Sequence, residues 1–112
     1  VFESKIFSYK KQKIEEKKYT KWFDYDKIKN SPCVRTRRQG DYLTVNSEGG
    51  RKKLNRIFID EKIPAGLRDQ IPVVAAGSEI LWIPGGRMNE QYKITSTTGR
   101  VLELHYQGGV LT

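Results

Sequence analysis

The sequence has few of the residues that would cross-link a small protein, bind a metal or cross a membrane. Among its 112 residues there is one cysteine, Cys33, and one histidine, His105. A single cysteine excludes an internal disulfide and a cysteine-rich metal site. Apolar runs such as 71–77 and 80–86 are far shorter than the roughly 20 residues of a membrane helix, and no charged-then-apolar leader opens the chain. We therefore expect a cytoplasmic protein.

The chain also lacks the residue patterns of catalysis. His105 is expected on the strand face opposite Leu102 and Leu104, which indicates an exposed strand residue rather than a general base. Cys33 has no histidine near it in sequence, so an inert, partly buried thiol is the better interpretation. The pair Gly85-Gly86 is typical of a turn, because no Gly-Lys-Ser or Gly-Lys-Thr follows a glycine-rich loop. We expect no catalytic residue, metal ligand or cofactor site in this chain.

Positive charge, by contrast, is abundant and unevenly distributed. The chain has 21 Lys and Arg against 13 Asp and Glu, which gives a net charge of +8. Residues 1–30 and 31–70 each carry +4, whereas residues 71–112 are neutral and richer in apolar residues. A basic half followed by an apolar half predicts a scaffold that presents a positive face to nucleic acid, an anionic membrane surface or an acidic protein. The alternative is a charge excess that serves solubility alone.

Hydrophobic patterning predicts a small α+β domain with one main helix. Leu54, Ile57 and Phe58 follow the i, i+3, i+4 spacing of a buried helical stripe, so we predict a helix over about 51–62 that ends before Pro64. Residues 10–18 are predicted to be a solvated connector, because an almost entirely polar helix would have no face to bury. Strands are predicted at 1–9, 19–28, 33–38, 71–75, 80–83, 91–95 and 101–106, with one helical turn at 66–70.

Three segments are expected from this composition. Residues 1–30 should form connecting strands and a Lys-rich linker, 31–107 the main domain, and 108–112 a frayed tail.

Several cations are placed where they would suit phosphate. Arg51, Lys52 and Lys53 stand at the predicted start of the main helix, where the macrodipole is already positive and an anion would be favourable. Three further arginines lie close together at 35, 37 and 38, and their planar guanidinium groups suit phosphate oxygens. For each arginine taken singly, the alternative is a surface ion pair.

Five motifs occur in an order typical of one protein family. They are RTRRQGD at 35–41, KKL at 52–54, FIDEKIP at 58–64, LRDQIP at 67–72 and ILWIPGGR at 80–87. In this order they resemble the C-terminal domain of bacterial tRNA(Ile)-lysidine synthase. The resemblance continues less distinctly to about Tyr106, and the loop at 42–50 departs from it, because the family usually carries a further basic residue there.

The resemblance implies both a fold and a division of labour. The fold would be a small β-sandwich-like module with one main helix, similar to a domain of phenylalanyl-tRNA synthetase β chains. The parent protein would be an ATP-dependent ligase that joins lysine to the wobble cytidine of isoleucine tRNA. A separate catalytic domain, with a Ser-Gly-Gly-X-Asp-Ser loop that is missing here, would bind ATP, Mg and lysine.

Under this resemblance the fragment would help to dock isoleucine tRNA near its acceptor stem. Such a stem is recognised by its phosphates, 2′-hydroxyls and shape, because its major groove is too narrow for side chains. The other expected partner is the N-terminal catalytic domain of the same protein; no membrane is expected, and a homodimer is left open. The predicted RNA-binding residues are Arg35, Arg37, Arg38, Arg51, Lys52, Lys53, Arg56, Arg68 and Arg87.

The competing hypothesis is a protein-interaction domain that packs against the catalytic domain or a second subunit. It predicts an exposed apolar patch that includes Trp82, Tyr92 and the apolar strands.

Overall fold

A computed structural model of the chain describes residues 2–14 and 17–107, so the predicted tail at 108–112 lies outside the described residues. Two β-sheets, one α-helix and three short 3₁₀ helices make up the described part. The strands are β1 Phe2–Ser8, β2 Thr20–Asp24, β3 Cys33–Arg35, β4 Tyr42–Thr44, β5 Arg51–Lys53, β6 Val73–Ala76, β7 Glu79–Trp82 and β8 Arg100–Tyr106. The α-helix, α1, covers Leu54–Asp60, and the 3₁₀ helices cover Tyr25–Lys27, Ala65–Gln70 and Glu90–Tyr92.

The first sheet has three strands in the order β1-β8-β2. The central strand β8 is antiparallel to both neighbours, with Phe2 opposite Tyr106 and Thr20 opposite His105. The strand predicted at 101–106 is confirmed, and Leu102 and Leu104 are buried as their alternation predicted. The first and last described strands of the chain therefore belong to one sheet.

The second sheet has five strands in the order β3-β6-β7-β4-β5. Its pairs are antiparallel except β4 with β7, so the sheet is mixed. Strands β6 and β7, which correspond to the predicted strands at 71–75 and 80–83, form a hairpin. Its turn uses Gly77 at φ +64, a left-handed conformation that glycine adopts without strain. Strands β3 and β5 are the two edges of this sheet.

Two core clusters cover the two faces of the five-stranded sheet. Phe23, Trp82 and Leu102 belong to a cluster with members from both sheets, so this cluster lies between the sheets. Leu43 and Ile80 belong to a second cluster, which the sheet forms with α1. Strand β6 is buried at all four positions because it faces both clusters. The result is a small α+β module with one main helix, as the sequence predicted.

The main helix is shorter than the prediction of 51–62. Its buried stripe is confirmed, since Leu54, Ile57 and Phe58 are all buried. Its first predicted turn, Arg51–Lys53, is instead strand β5, paired with β4. That pairing sets Lys52 opposite the buried Leu43 and satisfies backbone groups that a helical turn at this position would have left unpaired.

Other predicted strands and helical turns also differ from those of the structure in their boundaries. The predicted strand at 91–95 is wrong, because the Asn89 side chain accepts a hydrogen bond from the Gln91 N–H (2.9 Å) and caps a 3₁₀ turn there. The predicted strand at 33–38 stops at Arg35, and the one at 19–28 stops at Asp24 and continues as a 3₁₀ turn. The helical turn predicted at 66–70 is confirmed within the 3₁₀ helix Ala65–Gln70. None of the helices in the described part is long and apolar enough to cross a membrane.

Candidate nucleic-acid interface

Cations gather around one carboxylate at the end of α1. Asp60 forms ion pairs with Lys52 from β5 and with Arg56. The Nε atom of Arg56 lies 3.2 Å from Oδ1 of Asp60. The hydrogen bond from Lys52, with the nearby charges of Arg56 and Arg87, holds the pKa of Asp60 below its ordinary value. Three cations thus surround the single carboxylate of Asp60, and this surface cluster of four side chains has a net positive charge.

A second group of polar contacts adjoins the first helical turn. Arg37 donates from Nε to Asp69 (2.7 Å) and from Nη1 to the side-chain oxygen of Asn55 (2.9 Å). Arg68 follows nearby and donates from Nε to the carbonyl oxygen of Ile63 (2.9 Å). These contacts fix Arg37 and Arg68 beside α1. We call Arg37, Lys52, Arg56, Arg68 and Arg87 together the α1 basic surface.

Arg35, one of the predicted phosphate ligands, forms an almost buried ion pair. Its guanidinium binds both carboxylate oxygens of Asp41, at 2.7 and 2.8 Å, and also the carbonyl oxygen of Gly77 (2.8 Å). The two side chains are only 9% and 2% exposed. Asp41 also accepts a hydrogen bond from the backbone N–H of Arg38 (2.7 Å). The Arg35–Asp41 pair therefore holds the loop that carries Arg37 and Arg38 in place. The guanidinium N–H groups that could bind phosphate are already bonded to the Asp41 carboxylate.

The remaining predicted cations lie on the surface near β5. Arg51 is stacked on the ring of Tyr42, with its Cζ 4.6 Å from the ring centroid. Arg38 and Lys53 are exposed, and their side chains form no hydrogen bond or ion pair with any residue that the structure describes. Because side chains alternate along a strand, Arg51 and Lys53 point to the opposite face of β5 from Lys52. The cations of β5 are thus divided between two faces.

The anion site predicted at the helix start is wrong. Arg51, Lys52 and Lys53 are in a strand, and the backbone N–H of Leu54, the first helical residue, donates to the carbonyl oxygen of Asp41 (2.9 Å). The three cations instead project from the edge strand β5.

Cys33 and His105 show how the sequence misjudged exposure. Cys33 was expected to be partly buried, but it is exposed, because the edge strand β3 has a neighbour on one side only. His105 lies on the predicted face but is half-buried, with Nδ1 2.6 Å from the hydroxyl oxygen of Thr20. Over residues 2–14 and 17–107, no group of three His, Cys, Asp or Glu side chains could hold a metal ion.

The exposed patch expected for an interaction domain does not contain the predicted residues. Trp82 and Tyr92 are both buried, and the Tyr92 hydroxyl donates to Glu79. Burial and this neighbouring carboxylate raise the pKa of Tyr92. The exposed apolar side chains include Ile6 and Val34, which line a groove between β1 and β3. Within the described residues its lining is uncharged, and it includes edge strand β3, whereas the cations of β5 occupy the opposite edge.

Comparison with known proteins gives a consistent result. The family model of the TilS substrate C-terminal domain matches residues 33–104. The tRNA(Ile)-lysidine synthase of Caldanaerobacter subterraneus subsp. tengcongensis is 49% identical over 88 residues, which are 79% of this chain and 19% of the relative. That of Clostridium tetani is 41% identical over 90 residues, covering 80% of this chain and 19% of the relative. The chain thus spans about a fifth of the length of these relatives.

One solved structure is also similar. It is described as the crystal structure of a TILS C-terminal domain, and it superposes with a TM-score of 0.75 at 31% sequence identity. The match covers 95% of this chain and 82% of that one, so both sheets and α1 are included in the similarity.

Proposed function

This chain belongs to the TilS C-terminal domain family, and we propose that it docks isoleucine tRNA for a lysidine-forming ligase. The parent protein would join lysine to the wobble cytidine with the use of ATP and Mg, all bound by a catalytic domain outside these residues. The fragment would hold the acceptor stem of the tRNA. Support for the parent activity comes from relatives named tRNA(Ile)-lysidine synthase.

The α1 basic surface is the observation that carries the docking proposal. Asp60 is the one acid among Lys52, Arg56 and Arg87, so phosphate oxygens can take up the charge that it leaves uncompensated. Such contacts position a nucleic acid without reading its bases, which suits an A-form stem. We propose that Arg38, Arg51 and Lys53 add phosphate contacts beyond this surface, with Arg51 and Lys53 on the other face of β5, while Arg35 orients the loop that carries Arg37 and Arg38. The phosphate-binding set would then be Arg37, Arg38, Arg51, Lys52, Lys53, Arg56, Arg68 and Arg87.

The two parts of the chain contribute differently in this proposal. Residues 31–107 form the docking domain with all of these cations, and residues 1–30 supply β1 and β2 to the sheet around β8. The uncharged groove between β1 and β3 suits a second partner, namely the rest of the parent protein or a second copy of the chain. Changing Ile6 and Val34 to lysine should therefore leave tRNA binding by the chain undiminished.

A charge-matched comparison tests the docking proposal. The triple variant Lys52→Ala/Arg56→Ala/Arg87→Ala removes three cations from the α1 basic surface. The control Lys10→Ala/Lys13→Ala/Lys29→Ala removes three exposed cations elsewhere. Isoleucine tRNA labelled with a fluorophore is titrated with each protein at about 50 mM salt, and anisotropy is recorded. We expect the first variant to lose about tenfold or more in affinity relative to the control, whereas equal losses would contradict the proposal.

A further inference from the structure

A groove of about 320 Å³ adjoins the α1 basic surface. One wall is the segment that follows α1, at 61–72, and the other is the Pro-Gly-Gly loop at 84–86. Tyr106, near the end of β8, also contributes to the lining. We call this depression the proline groove. Its volume is at the lower end of the range for small-ligand sites in proteins.

The lining of the proline groove is mostly apolar and is fixed by the backbone. Pro64, Pro72 and Pro84 have no N–H to offer a ligand, and Leu67 is 40% exposed in the groove. Gly85 has φ +81, and a Cβ there would lie 2.8 Å from Cε1 of Tyr19, so the loop packs closely on that ring. The groove therefore offers a preformed, mostly apolar surface, to which Tyr106 adds an aromatic side chain.

Cations surround this apolar lining. Lys62 lines the groove and is exposed, and Arg68 is held at its wall by the hydrogen bond to Ile63. Arg87 follows the Pro-Gly-Gly loop directly and is also exposed. Glu61 is the acidic member of the described lining. An apolar groove with cations at its margin matches a ligand that has an apolar face and carries phosphate.

We propose that the proline groove receives an unpaired nucleotide at the end of the RNA stem that the α1 basic surface holds. This inference rests on the proposed function. Bases at single-stranded ends expose their faces and stack on aromatic and apolar side chains, while Lys and Arg neutralise the attached phosphate. Leu67 and Tyr106 offer the apolar contact, and Lys62 and Arg68 face the phosphate. Charge favours this ligand over an apolar peptide, which would leave the cations without a counter-charge.

Two hairpin RNAs with the same stem provide the test, one blunt and one with a short unpaired 3′ extension. Each is titrated with the 112-residue chain, and the ratio of the two dissociation constants is measured. We expect the extended hairpin to bind about fivefold or more tightly, because stacking of a single base is worth on the order of 1 kcal/mol or more. Equal affinities for the two hairpins would overturn the inference and leave the docking proposal standing.

A matched pair of variants assigns the preference to the groove. Leu67→Glu places a charge in the groove, and Ile59→Glu places the same charge on α1, at an apolar side chain that is 48% exposed and does not line the groove. Both variants should weaken binding of both hairpins, but only Leu67→Glu should abolish the ratio between them. A ratio that survives Leu67→Glu would place the extension elsewhere and overturn the inference. Failure of the unaltered chain to bind either hairpin would contradict the docking proposal itself.

Discussion

At the scale of single residues, the arginines of the RTRRQGD motif have different surroundings. Arg35 is almost buried and binds Asp41 through both oxygens, whereas Arg37 is held at the surface and Arg38 is exposed. The sequence predicted a common phosphate-binding role, because three arginines in four positions present the same chemistry. It could not show that Arg35 pairs with Asp41, since nothing in the spacing of these two residues specifies the loop that brings them together.

The first prediction concerns this buried pair. Arg35→Ala should lower the free energy of unfolding by roughly 3–5 kcal/mol, because it leaves the Asp41 carboxylate buried without its counter-charge. Chemical denaturation monitored by tryptophan fluorescence measures the change. Arg38→Ala is the control and should stay within about 0.5 kcal/mol of the unaltered chain, since its side chain is exposed. Equal stability of the two variants would show that the Arg35–Asp41 pair is not a structural contact.

The second prediction concerns Asp60. Asp60→Asn removes the carboxylate that competes with phosphate for Lys52 and Arg56, so affinity for tRNA should rise severalfold. The salt dependence of binding should also become steeper, because more cations are available to phosphate. Titrations of tRNA at several salt concentrations measure both effects. Weaker binding by Asp60→Asn would instead mean that Asp60 holds the two cations in their binding positions.

The lowered pKa of Asp60 also predicts how the stability of the fold changes with pH. A carboxyl group whose pKa is lower in the folded than in the unfolded chain stabilises the fold at pH values above its unfolded pKa. That contribution is lost as the pH falls through the folded value. An NMR titration of the carboxyl carbons should therefore show Asp60 more than half ionised at a pH where an ordinary aspartate is half protonated. An ordinary titration midpoint for Asp60 would contradict the ion pairs with Lys52 and Arg56.

At the scale of secondary structure, periodicity identified faces better than it identified boundaries. The stripe of Leu54, Ile57 and Phe58 specifies a buried helical face whatever the helix length, and this part of the prediction is confirmed. The residues before it, Arg51–Lys53, have no alternation that would mark a strand. Their conformation follows from pairing with β4, a tertiary contact that local sequence does not encode. The cations of KKL consequently lie at a sheet edge and not at a helix start.

The third prediction separates the face of α1 from the strand before it. Phe58→Ala should destabilise the chain by roughly 3–5 kcal/mol, because a fully buried phenylalanine leaves a cavity. The double variant Lys52→Ala/Lys53→Ala should change stability far less and should weaken tRNA binding, since neither lysine is buried. Thermal unfolding by circular dichroism compares the two variants. Early melting of the lysine variant together with a stable Phe58→Ala would reverse the assigned faces.

At the scale of the whole molecule, the five-stranded sheet separates two kinds of surface. The cations of β5 lie at one edge, α1 covers one face, and the uncharged groove includes β3 at the other edge. The charge excess and its restriction to the first 70 residues were visible in the sequence. The separation of the β5 cations from the uncharged groove could not be predicted from the sequence, because it depends on the order of strands in the sheet.

The chain as a whole is also predicted to have no ligase activity of its own. We expect the 112-residue chain alone to attach no lysine to tRNA, because its predicted role is docking and the catalytic loop of the family is absent from its sequence. Incubation with ATP, radiolabelled lysine and isoleucine tRNA measures incorporation against a control without protein. Incorporation above that control would show that the chain itself carries ligase chemistry.

The most direct test of docking by phosphate contacts is the salt dependence of tRNA binding. If about five cations of the α1 basic surface and its surroundings neutralise phosphates, log K should fall against log salt with a slope of roughly −4 to −5. Isoleucine tRNA and an unrelated tRNA should give similar slopes and differ only modestly in affinity, because backbone contacts do not read sequence. Arg56→Ala should make the slope about one unit less negative for both tRNAs. A flat dependence on salt, or no binding at low salt, would contradict the account.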